Sequence, residues 1–308
     1  MRMPSVLVPY SGPCRERGCQ DIFVCLRPET NGVLVESIML KAIRSDPEAK
    51  DRVSLAYLAN LPGDFISGNR VIEEHYALKR SFAELGKAAF TPWMRSAFEA
   101  RFDTSFENAR ITGAFEAMGI LGLDADGLFR LWVPEDSFAV IHGQSIKKSG
   151  DLFIVNYDIP SLLHRNTAAT DVAAMIFRTD LGYAGFGRLV RRMEGALLDA
   201  GVIKEGVPPS YVFHYSKGPL EQVLDAEGYL YDKDSSHTPM DQISFAAYLV
   251  ERGIGLPALK RCLAHPIVRS RGREEAYIFD LTLRDSYEAA YRKLRGLLSP
   301  AASRGSGT

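Results

Sequence analysis

The sequence predicts an α+β protein. Short apolar runs rich in β-branched and aromatic residues alternate with longer stretches of helical periodicity along all 308 residues. The strands so read are few and the helices long, which predicts helices packed on antiparallel-leaning sheets. The stretch 160–170, with Asn166-Thr167-Ala168, predicts a boundary between a unit over residues 1–160 and a second small α+β unit over 161–308.

Taken in order, residues 21–26 form a buried strand that Arg27-Pro28 stops, and Asn31-Gly32 is a turn signal. Residues 33–44 place Leu34, Ile38, Leu40 and Ile43 at helical spacing, and Ser45-Asp46-Pro47 ends that helix. Residues 53–61 are a second apolar strand, expected beside the first. Asn69 caps a helix through Leu85, which Gly86 stops. Pro92 suits the first turn of a helix through Phe102, and Ser105 begins another through Met118. Residues 124–133 fit helix or strand. Residues 138–146 and 152–157 form a hairpin around the polar turn Lys147-Lys148-Ser149-Gly150. Beyond Pro160, strands are expected over 172–177, 211–215 and 276–283, as one small sheet. Helices are expected over 183–200, 240–252, 257–263 and 286–298, with a small polar tail from Ser299.

Composition narrows the function classes. Hydrophobic residues make up 46% and charged residues 24%, ordinary for a folded globular chain. The formal net charge of −1 supplies no field toward nucleic acid or an anionic membrane, and no apolar run is long enough to span a bilayer. The apolar patch at 6–8 is bracketed by Pro4 and Pro9 and is too short for a signal-peptide core. A cytoplasmic protein with reduced thiols is therefore expected. Cys25 reads as a small core residue. Cys14 and Cys19 flank an exposed-looking loop, Arg15-Glu16-Arg17-Gly18, without a C-x-x-C pair or a nearby histidine, so no metal site is expected.

Four landmarks carry the functional reading. They are Arg27-Pro28-Glu29 after a strand, followed by Gly32-Val33-Leu34-Val35-Glu36-Ser37-Ile38; Glu74-His75-Tyr76 with Leu78-Lys79; Phe90-Thr91-Pro92 and then Glu107-Asn108-Ala109; and Pro134-Glu135-Asp136 leading to Ala139-Val140-Ile141-His142-Gly143-Gln144-Ser145. In order and separation this series resembles the nucleoside-diphosphate kinases, over about residues 21–145. The resemblance implies a ferredoxin-like sheet with covering helices in the N-terminal unit. It implies phosphoryl transfer between nucleotides through a phosphohistidine at His142, with Mg2+ accompanying a nucleoside triphosphate. It assigns substrate binding to Arg27, Tyr76, Phe90, Arg110 and Arg130, and allows a homo-oligomer. The chain departs from the family in several places. Arg27 stands where the family has Lys, Ala139 stands where it has Asn, and Gly113 and Ala114 fall where its phosphate-binding Arg lies.

The chemistry asks for a neutral imidazole as nucleophile and fixed cations on the non-reacting oxygens. Arg27, Arg110, Arg130, Lys147 and Lys148 are the cations at hand, and Gly143 would admit a phosphate close to the backbone. Read without the resemblance, His142 is a half-buried hairpin residue, His75, Tyr76 and Phe90 are core or cap, and Lys147-Lys148 is a solvated turn. A non-catalytic nucleotide-binding or assembly module on the same scaffold is the alternative function. A third reading places an unrelated enzyme site in the C-terminal half, but His214 and Asp280 lie in strand-like runs without an evident partner. His164, His237 and His265 read as a helix end, a polar loop and a helix exit. The basic group Arg269, Arg271 and Arg273 is neutralised by Glu274 and Glu275.

Overall fold

Strand β2 (Gln20–Leu26) is buried along its length, which is why residues 22–26 are continuously apolar rather than alternating. In the computed structural model, which describes residues 1–28, 30–204, 212–269 and 275–298, this strand lies inside a five-stranded sheet. Its partners are β1 (Ser5–Val8), β3 (Val53–Pro62), β8 (Asp171–Thr179) and β9 (Phe213–Tyr215), in the order β1-β3-β8-β2-β9. Every pairing in it is antiparallel. Helix α1 (Val33–Ser45) joins β2 to β3, and α9 (Gly182–Asp199) leads from β8 toward β9. The two helices pack on each other, so β9-β2-β8-β3 with α1 and α9 is a ferredoxin-like, split βαβ arrangement.

Two expectations change here. Strands β2 and β3 share a sheet but are not neighbours, because β8 pairs with both: Phe23 opposes Ile176 and Leu58 opposes Met175. The ferredoxin-like sheet also draws its strands from both sides of residue 160, so residues 172–177 and 213–215 build no sheet of their own. Long-range pairing of four apolar strands decided this, and strand sequences do not encode their partners.

Residues 63–170 leave the sheet and return to it at one place. Pro62 opposes Asp171, and Gly63 N donates to Thr170 O at 2.7 Å. A side chain at Gly63 would meet Thr167 O at 2.5 Å, so this close approach needs glycine. The insertion carries α2 (Gly63–Gly68), α3 (Val71–His75), α4 (Ala77–Leu85), α5 (Pro92–Phe102), β4 (Arg110–Gly113), α6 (Ala114–Leu121), α7 (Ala125–Arg130), β5 (Phe138–Ile141), β6 (Gln144–Ser149), β7 (Leu152–Val155) and α8 (Ile159–His164). Its sheet has the order β4-β7-β6-β5, with β4 parallel to β7. An aromatic core of Phe82, Phe90, Phe98, Phe106 and Phe153 lies beside that sheet.

Several local expectations are corrected by this sheet. The helix expected from Ser105 is a turn followed by β4, because Ile111 and Thr112 pair with Phe153 and Ile154. Residues 138–146 are not one strand. The chain reverses at His142-Gly143, where both φ angles are positive (46° and 74°), as a two-residue type I′ hairpin requires. The helix expected over 69–85 breaks at Tyr76 into α3 and α4, and residues 125–130 resolve as helix. On α1 the buried face is Val35, Met39 and Ile43, while Leu34 is exposed.

The remaining chain covers the other face of the main sheet. Helices α10 (Pro219–Tyr229) and α11 (Ser244–Val250) pack on β2. They are followed by α12 (Leu256–Ala264), β10 (Ile267–Arg269), β11 (Glu275–Tyr277), α13 (Ile278–Leu281) and α14 (Tyr287–Leu298). The strand expected over 276–283 is thus three residues of strand and then helix. Cys14 and Cys19 form a disulfide, not the reduced pair expected, with Cα atoms 6.3 Å apart. Gly18, at φ 81°, turns the intervening loop back. Glu29, Tyr211, Arg271, Gly272, Arg273, Glu274 and the tail from Ser299 lie outside the described residues. No helix among the described residues is long and apolar enough to cross a membrane.

Candidate functional site

Alternation along β2 puts Phe23 and Cys25 on one face, and Arg27 follows in the same phase. His214 opposes Cys25 in the β2–β9 ladder, so its side chain stands on that face too. Helix α10 covers it. Pro219 occupies its first turn, and Glu221, Asp225 and Tyr229 follow at four-residue spacing, one helical face. From the insertion, the break between α3 and α4 delivers His75 and Tyr76.

Asp225 is the centre of this arrangement. Its side chain is 1% exposed, with Oδ1 3.3 Å from His75 Nε2 and Oδ2 3.0 Å from His214 Nε2. The His75 ring is buried, and the His214 ring keeps 20% of its surface. Arg27 hydrogen-bonds Tyr76, and Lys79 Nζ lies 3.9 Å from Asp158 Oδ2 and 5.9 Å above the Tyr76 ring. Glu221 accepts from Lys217 N at 2.6 Å, closing the first turn of α10. The expectation that His214 lacks a partner is therefore corrected: the C-terminal half does hold a titratable cluster, and one of its two imidazoles comes from the insertion.

Burial sets the protonation of this group. It pushes His75 down to about 4, against the pull of Asp225, and His214 down to about 4, against Glu221. It pushes Asp225 up to about 7, against His75 and Arg27. When Asp225 is ionised, the neutral imidazole donates to it, which places the His214 proton on Nε2 and a lone pair on Nδ1; when Asp225 is protonated, it donates to Nε2 instead. His214, Glu221 and Asp225 also bring donor atoms within 4.8 Å of one another, a spread that a divalent cation spans.

The structure distributes the sequence-predicted residues over several places. Arg27 and Tyr76 meet at the Asp225 cluster. His142 sits in the β5–β6 turn, its ring stacked on Trp93 at 4.0 Å and lying 6.4 Å from Tyr277, with Nε2 3.4 Å from Glu275 Oε1. Burial lowers its pKa, while Glu275 and Asp280 oppose that shift. Gly143 faces the Tyr277 ring, which a side chain at 143 would meet at 2.5 Å. Phe90 is in the aromatic core, 5.3 Å from Phe106 and 5.7 Å from Phe82. Arg110 pairs with Asp151 at 3.5 Å, and Arg130 ends α7 near Asp126. Lys147 donates to Phe129 O and Leu131 O and lies 3.6 Å above the Tyr157 ring; Lys148 lies 5.4 Å from Phe153. His164 ends α8, His265 caps α12, and His237 bonds to Glu227 O.

Sequence reading missed Asp225 and Glu221. The available signal was their four-residue spacing on a stretch whose other residues, Leu220, Val223 and Ala226, are those of a buried helix. Two carboxylates on the inward face of such a helix require partners. No protein-family model, characterised protein or solved structure matches this chain, so its function is argued from this geometry.

Proposed function

We propose that the protein binds a nucleotide, or a similarly phosphorylated small molecule, at the Arg27 end of β2, and transfers its terminal phosphoryl group through His214. The observation that carries this is the Asp225 carboxylate holding the Nε2 atom of a partly exposed imidazole beside a guanidinium. The His214 Nδ1 lone pair forms the N–P bond as the bond from phosphorus to the bridging oxygen breaks, and the diphosphate leaves. The ring gains positive charge, which the Asp225 carboxylate neutralises across the Nε2–H bond. Arg27 and Lys79 supply cationic charge for the non-reacting oxygens. Mg2+ travels with a nucleoside triphosphate, and Glu221 and Asp225 are the residues that would hold it. A cytoplasmic setting suits that chemistry, whereas the Cys14–Cys19 bond suits an oxidising one; thiol trapping of freshly isolated protein separates the two.

The resemblance to nucleoside-diphosphate kinases supports the reaction class and names His142 as the acceptor. That second reading is favoured by the burial that keeps the His142 ring neutral. Incubation with γ-labelled ATP and Mg2+ separates the two. Acid-labile, alkali-stable label is expected on the wild type and on His142→Ala, and none on His214→Ala. The reverse pattern transfers the role to His142. Absence of label on protein that binds nucleotide makes this a binding or assembly module on the same scaffold.

A further inference from the structure

Helices α3 and α4 enclose a cavity within the insertion, together with α2, α6 and α8. Its volume is about 390 Å³, within the range of small-molecule sites. Ile72, Leu163 and Phe115 form its apolar wall, and Phe115 keeps 39% of its surface exposed, unusual for so large an apolar ring. The charged lining comes from two helices: Glu73 from α3, and Arg80 and Glu84 from α4.

These charges are only partly matched. Positions 80 and 84 lie one turn apart on α4, and Arg80 Nε donates to Glu84 Oε1 at 2.8 Å. The guanidinium makes no other hydrogen bond among the described residues, so its Nη1–Nη2 edge is open. That edge is the fork that takes a carboxylate in two parallel hydrogen bonds. The Glu73 carboxylate makes neither a hydrogen bond nor an ion pair among the described residues. In particular it does not pair with Arg80, whose nitrogens therefore all lie more than 4.0 Å from its oxygens. Two opposite charges thus line one cavity without meeting, beside an apolar wall. A molecule that carries both charges itself spans such a gap.

We infer that this cavity binds an α-amino acid with an apolar side chain, as the zwitterion. Its carboxylate meets the open edge of Arg80, its ammonium group meets Glu73, and its side chain covers Ile72, Leu163 and the Phe115 ring. A simple cation would face the Arg80 charge and leave its open edge unmatched. A simple anion would face two carboxylates and leave Glu73 unmatched. The site goes beyond the phosphoryl chemistry proposed at Asp225 and does not rest on it.

Calorimetry and thermal unfolding test this with L-phenylalanine and L-leucine as probes. Three relatives each lack one feature: 2-phenylethylammonium lacks the carboxylate, 3-phenylpropanoate lacks the ammonium group, and glycine lacks the side chain. At least one of the two amino acids is expected to bind and raise the unfolding temperature. Each relative is expected to bind about tenfold more weakly, having lost a charge-assisted contact or the apolar one. Glu73→Gln, at a partly exposed position, is expected to weaken the bound amino acid about tenfold and leave 3-phenylpropanoate unchanged. Arg80→Gln is expected to weaken the amino acid and 3-phenylpropanoate alike. Binding of neither amino acid, a relative that binds as tightly as the amino acid, or indifference to Glu73→Gln or to Arg80→Gln overturns the assignment.

Discussion

The histidines at Asp225 and the histidine at residue 142 are fixed by different forces. Around Asp225 each ring is held at its edge, Nε2 against a carboxylate oxygen, so a particular nitrogen is aimed. His142 is held chiefly at its face, on Trp93, in the φ > 0 conformation of a hairpin turn; its Nε2 also lies 3.4 Å from Glu275 Oε1, but that oxygen already accepts from Thr91 Oγ1. Edge contacts are directional and select a tautomer. Face contacts fill space and select a plane. A histidine of the first kind has one nitrogen oriented by a carboxylate, whereas one of the second kind closes a turn and is oriented chiefly by stacking.

The largest effect expected from this contrast is at Asp225. Asp225→Ala leaves the Nε2–H groups of His75 and His214 without their common acceptor, and about 2–6 kcal/mol of stability should be lost, each unmatched donor costing about 1–3 kcal/mol. Urea unfolding measures it; a loss below that for the turn variants would show that the cluster is not an energetic centre. Next is Gly143→Ala. The left-handed conformation costs a non-glycine residue about 1–2 kcal/mol, and the new methyl also displaces Tyr277. Tyr277→Ala in the same background should recover the steric part, and an unchanged loss would sink the clash as a cause.

His142→Asn should cost less, about 0.5–1.5 kcal/mol for the lost ring contact, because Asn tolerates positive φ. Its pH signature is the sharper measurement. The His142 pKa is lowered from 6.5 on folding, so between that folded value and 6.5 the unfolded chain binds more protons. Stability therefore rises with pH through this window, is complete above 6.5, and falls on acidification. Protonated His142 would face Glu275 and Asp280, with Arg269 Nε 3.6 Å from Glu275. The asparagine variant should flatten that slope; an unchanged slope would assign it to other groups.

Much of this fold was legible in the sequence because β2, α1, β3, β8 and α9 each span several periods of their pattern. What was not legible is short or non-local. Strands β4 and β11 have four and three residues, too few to show a period, and their partners confer their state. The His142-Gly143 turn carries a weaker signal than Asn-Gly, so two strands read as one. At the site, Arg27 and Tyr76 were visible as landmarks and do meet. His214 was visible but looked satisfied by burial alone, because its partner, Asp225, comes from a helix with no motif.

The adjacency of Pro62 and Asp171 has a consequence for how the molecule is made. On the ribosome, β2, α1 and β3 emerge first, yet the strand that must lie between β2 and β3 emerges only after residues 63–170. The nascent sheet therefore waits with two unpaired inner edges while the inserted unit completes its own local pairings. When β8 finally threads into its gap, it also anchors the far end of the insertion. His75 meets Asp225 only once β9 and α10 have emerged as well, so this one cluster ties together the insertion, the main sheet and the chain that follows β8.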